Sequence, residues 1–83
     1  MTPRLPRDVS GRTVIAALER FEYRVVRRSG SHVRLEHEGP PRHAITVPDH
    51  PALRLGTLAA IVAEVARARS LTRDEVVAAL RRG

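Results

Sequence analysis

The chain has 83 residues, enough for one domain near the lower size at which a single apolar core suffices, and too few for a second domain or a deep cofactor cleft. It has no cysteine, which excludes disulfides, thiol nucleophiles and zinc–thiolate sites, and it has neither an apolar run of membrane-spanning length nor a signal-peptide-like N-terminus, so a soluble cytoplasmic protein is expected. All 15 basic residues are arginine, against nine acids, and the resulting net charge of +6 favours a polyanionic partner such as a phosphate backbone.

Residues 1–8 carry two prolines and no periodicity and read as a loose lead-in. Ser10 suits a helix N-cap, and Val14, Ile15, Leu18 and Phe21 recur at helical spacing, which predicts a first helix over about Gly11 to Arg20. No glycine stops it, since Glu22 stands where the chain should turn. The period then changes. Tyr23 to Arg28 is β-prone, Ser29-Gly30 reads as a turn, and Ser31 to His37 alternates polar and apolar residues. Glu38-Gly39-Pro40-Pro41 is a second turn, and His43 to Val47 is a third strand stopped by Pro48. Beyond the Pro48–Pro51 loop, a second helix carries Leu55, Leu58, Ile61, Val62 and Val65 on one face, with Gly56-Thr57 near its start. Thr72-Arg73-Asp74-Glu75 is a capping box that opens a short terminal helix with Val76, Val77 and Leu80, within a terminal segment of residues 71–83.

The order αβββα plus a terminal helix predicts one α+β domain over residues 1–83, with a three-stranded antiparallel sheet and the helices on one face. Such a sheet hides one face and leaves the other open to a ligand. By analogy, the arrangement resembles that of double-stranded RNA-binding domains.

Four histidines are candidates for chemistry. Val33 and Leu35 mark the buried face of the second strand, so His32 and Arg34 point to the open one. With Ser29-Gly30 as a two-residue turn, Arg27 lies across from His32, Val26 across from Val33 and Val25 across from Arg34. Imidazole transfers protons near neutral pH, and Arg27, Arg28 or Arg34 could meet the charge that develops on a phosphorane, so the group fits phosphodiester cleavage. The ordinary alternative is a solvated sheet face, with arginine standing for lysine in a GC-rich genome. His37 follows His32 by five residues and projects to the opposite face, which argues against a shared metal. His37 is expected to pack at the strand end, His43 to lie in the turn, and His50 to be the best second functional histidine. Ser31 lacks an acid partner in sequence and is assigned to shaping the turn with Gly30.

Together these segments resemble the HicA family, the toxins of HicAB toxin–antitoxin systems. The resemblance runs from Ser10 to about Leu80. It rests on Leu18-Glu19-Arg20-Phe21, the aromatic Tyr23, Gly30-Ser31-His32 with His37 five residues on, Thr46-Val47-Pro48 followed by His50, and Gly56-Thr57-Leu58 with Ile61. It implies a messenger RNA-cleaving toxin on a double-stranded RNA-binding-like fold, with His32 catalytic in the Gly-Ser-His motif, no cofactor, and a HicB-like antitoxin covering the active surface. One departure is Glu22, where the family usually has glycine; since a side chain at positive φ costs about 1 kcal/mol, this helix is expected to end differently.

Two other readings stay open. A non-catalytic RNA-binding module would use the same arginine-rich face. A regulator binding DNA through a helix is less well served, because Arg67 and Arg69 are exceptions on helix faces poor in regularly spaced bases.

Overall fold

The computed structural model describes residues 5–82; residues 1–4 of the expected lead-in and Gly83 of the expected tail lie outside the described residues. The elements run α1 (Gly11–Arg20), β1 (Arg24–Ser29), β2 (His32–His37), β3 (His43–Pro48), α2 (Leu55–Arg69) and α3 (Arg73–Arg82). The strands form one antiparallel sheet in the order β1-β2-β3. α1 and α2 pack on one side of it, and α3 packs on α1 and α2. This is the α+β, double-stranded RNA-binding-like arrangement expected.

α1 starts where Ser10 accepts a hydrogen bond from the Thr13 amide at 3.0 Å. Its apolar stripe buries Val14, Ile15, Ala17 and Leu18. The expectation of a different ending is corrected by the structure: Glu22 takes φ +71° itself. The Glu22 amide donates to the Glu19 carbonyl and the Tyr23 amide to the Leu18 carbonyl, each at 3.0 Å, the paired bonds of a Schellman ending. Leu18 and Tyr23 are both buried beside it, and that contact holds the left-handed residue in place. α2 ends the same way at Ser70, with φ 56° and the Leu71 amide on the Ala66 carbonyl at 2.9 Å.

The core joins the sheet's inner face (Val33, Leu35, Ile45, Val47) to Leu58, Ile61, Val62 and Val65 of α2 and Val76, Val77 and Leu80 of α3. Leu55 is a correction to the expected apolar face. It sits 45% exposed at the first turn of α2, and Leu53, just before the helix, fills the core at that end. Leu5 of the lead-in packs against the core, and just after the lead-in the Val9 carbonyl accepts from the Leu53 amide at 2.8 Å. The capping box of α3 forms as expected: Thr72 Oγ1 accepts from the Glu75 amide, and Glu75 Oε1 from the Thr72 amide, both at 3.1 Å.

Candidate active site

The turn between β1 and β2 is Gly30-Ser31, not Ser29-Gly30. The tight hairpin needs positive φ at its first central position, and Gly30 supplies it with φ +59°. This corrects the expected pairing by two residues. Ser29 lies across from His32, Arg28 across from Val33 and Arg27 across from Arg34. The ladder slips by one residue between Val25 and Arg27, so that Val25, across from Leu35, faces the core and Val26 is 45% exposed. A two-residue shift preserves faces, so Arg27 still lies on the same side as His32 and Arg34.

The open face is therefore laid out in rows. Ser29, His32 and Pro48 make the first; Arg27, Arg34 and Thr46 the second; Arg24, Glu36 and Ala44 the third. Arg27, Ser29, His32, Arg34 and Thr46 line one shallow concavity. The exposed imidazole thus has two guanidinium groups and two hydroxyls around it. Arg34 Nε donates to Glu36 Oε2 at 3.3 Å, while Arg27 has no ion partner among the described residues. Ser29 and Thr46 were not singled out in sequence. Thr46 was within reach there, since it alternates with Ile45 and Val47, but Ser29 needed the corrected turn.

Arg28 stands apart from this group. It pairs across from Val33, on the other face, and its guanidinium meets Asp49 at 3.3 Å. The Asp49 amide donates to the Ser31 carbonyl at 2.6 Å, and His50 Nε2 lies 3.3 Å from Ser31 Oγ. The loop after β3 is thereby fastened to the turn that presents His32. Gly11 backs this loop: its amide donates to the His50 carbonyl at 2.9 Å, and a Cβ there would run into the Pro48 carbonyl. His50 lines a separate concavity with Ser10, Arg12, Asp49 and Pro51. The structure brings it to the His32 turn but not onto the His32 surface.

His37 and His43, paired across β2 and β3, sit at the far end of the sheet against Tyr23, with ring centroids 5.1 and 5.7 Å from it. His43 Nε2 donates to the Glu64 carboxylate at 2.9 Å, which leaves Nδ1 to accept the Tyr23 hydroxyl at 2.7 Å. His43 is thus a strand residue with two partners, not the turn residue expected. His37 packs at the strand end as expected, where Nδ1 accepts from the Gly39 amide at 2.8 Å and lies 2.6 Å from Arg69. Arg69 also reaches the Pro41 carbonyl and lies over the Tyr23 ring. Burial pushes the Tyr23 hydroxyl above its ordinary range; Arg69 opposes that rise and Glu64 adds to it. No local sequence signal marks this cluster, because its members come from four separate segments.

The family model for the HicA toxin of bacterial toxin–antitoxin systems matches residues 11–67, well over half of the chain. The chain belongs to the HicA toxin family. No curated protein and no solved structure matches it. Membership makes it the toxin of a toxin–antitoxin pair, with an antitoxin as its partner. The HicA match spans α1, the sheet with its Gly30-Ser31-His32 turn and most of α2, and it stops short of α3. Among the described residues, no helix is long and apolar enough to cross a membrane.

Proposed function

We propose that the chain is a metal-independent endoribonuclease that cleaves messenger RNA in the cytoplasm, with His32 as its acid/base catalyst, and that a HicB-like antitoxin neutralises it by covering the open face. The observation that supports this reading is the placement of His32 in a solvent-open concavity that it shares with the cross-strand pair Arg27 and Arg34 of the next row. An imidazole there can take the proton of a ribose 2′-hydroxyl as that oxygen attacks the neighbouring phosphorus. The P–O5′ bond then breaks, leaving a 2′,3′-cyclic phosphate and a 5′-hydroxyl whose proton comes from water or from the imidazolium just formed. Arg27 and Arg34 then stand where negative charge builds on the phosphorane oxygens. Ser29 and Thr46 offer hydroxyl hydrogen bonds at the same place. Gly30 and Ser31 fix the turn, and His50, through Ser31, holds it from behind. Arg28 lies on the other face of β1, away from His32, and there supports the turn through Asp49.

The test is His32→Ala. Purified in chelator-containing buffer, the parent chain should cut a messenger transcript, and its expression without antitoxin should arrest growth. The variant should lose both, with cleavage falling by a factor of about 100 or more, while still binding RNA and unfolding at the same denaturant concentration. Undiminished cleavage by a clean, folded His32→Ala preparation overturns the assignment. RNA binding with no cleavage by the parent would favour the non-catalytic RNA-binding module.

A further inference from the structure

A second concavity lies at the far end of the sheet, lined by Arg34, Glu36 and Ala44 of the open face together with His37, Arg42 and His43. It meets the His32 concavity at Arg34, the one residue common to both. Alternate residues of a strand share a face at about 3.4 Å per residue, so the Arg34 row lies roughly 7 Å and the Glu36 row roughly 14 Å from that of His32. Arg42 stands just ahead of β3, beyond the third row, and has no ion partner among the described residues. The two concavities, adjoining at Arg34, make a trough in two parts that leads from His32 past Arg27 and Arg34 to Arg42. Its one lining carboxylate, Glu36, is spent on Arg34.

What the trough lacks is as informative. The chain has one Tyr, one Phe and no Trp. Tyr23 is buried and Phe21 packs against the core, so neither ring lies on the open face. Proteins that grip single strands through their bases do so by stacking them on exposed rings. This face offers guanidinium groups and small hydroxyls, which suit a phosphate–sugar backbone.

We infer that Arg42, with Arg34, forms a second phosphate site for the RNA strand, gripping the backbone beyond the scissile phosphate held at His32, with little regard to base identity. This rests on the proposed function only for the position of the scissile phosphate. The site holds the strand along β2, so the segment to be cut is threaded past His32 and not merely attracted to the surface. Loss of Arg42 then shortens the grip by one phosphate and leaves the chemistry at His32 intact.

The experiment uses the full chain carrying His32→Ala, so that RNA is bound without being cut, and measures affinity for oligo(U) and oligo(A) of equal length across a salt series. Adding Arg42→Ala should weaken both oligonucleotides alike, by about tenfold at low salt, and make the slope of log affinity against log salt shallower by about 0.7, the value for one lost single-strand phosphate contact. Arg42→Lys should restore most of the slope, which a purely structural role would not predict. A dinucleotide, too short to span from His32 to Arg42, should bind both proteins equally. An unchanged slope in Arg42→Ala, or a loss confined to one homopolymer, overturns the site. A parent chain that fails to cut RNA while the slope still falls would remove the catalytic reading and leave the phosphate site standing; normal cleavage with an unchanged slope does the reverse.

Discussion

Tyr23 is buried and bonded through His43 to Glu64. Burial favours its protonated form, so the folded chain keeps the phenolic proton at pH values where an unfolded tyrosine has released it. The stability linked to that proton is present in full below pH 10.0, the ordinary value, and is lost as pH rises through the higher value of the folded state. Tyr23→Phe should flatten this alkaline decline. At neutral pH it should cost about 1–2 kcal/mol, because His43 Nδ1 is left without its donor. Denaturant unfolding across a pH series checks both, and since the chain has a single tyrosine, phenolate absorbance reports the titration directly. At this scale His32 was legible in sequence, because alternation with Val33 and Leu35 fixes its face. The Tyr23 cluster was not, since Tyr23, His43 and Glu64 are brought together only by the packing of α2 against the sheet.

At the scale of elements, helix ends carry most of the information. Ser10 and the Thr72–Glu75 box announce where α1 and α3 begin, and both caps form with the expected partners. The end of α1 is not legible from Glu22 alone, because its neighbours decide it. Burial of Leu18 and Tyr23 on either side of Glu22 outweighs the cost of its left-handed backbone. That cost is still borne, so Glu22→Gly should raise stability by about 0.5–1 kcal/mol, glycine's greater freedom in the unfolded chain offsetting part of the relief. A higher urea midpoint with an unchanged slope is the expected result. Strand register was the least legible feature. Gly30 identifies a turn but not which of its two positions it takes, and nothing around Val26 distinguishes a residue that slips out of the ladder from one that stays in it.

For the whole molecule, the family match and the folding unit have different limits. The match covers residues 11–67, yet the core also includes Val76, Val77, Ala79 and Leu80 of α3, and Arg20 of α1 donates to the Ala79 carbonyl at 2.5 Å. In a chain this small no other layer can replace that cover. A chain stopped after Ser70 should therefore lose cooperative unfolding, with circular dichroism and amide exchange showing α1 and α2 loosened together. A sharp thermal transition in the truncated chain would show that α3 is an accessory.

The open face and its arginines have a bearing on how a pool of this protein keeps. β1 is an outer strand, and among the described residues no further strand pairs with its outward edge. Such an edge is a template on which a second molecule can add its own strand, and then a third, into a fibre. Here Arg24, Arg27 and Arg28 follow one another along that edge, and the slip at Val26 twists it. Two approaching copies would bring these charges together and find a warped edge to pair with. Replacing Arg27 or Arg28 with an apolar residue thus carries a hazard of its own, namely a slow loss of material to insoluble aggregate.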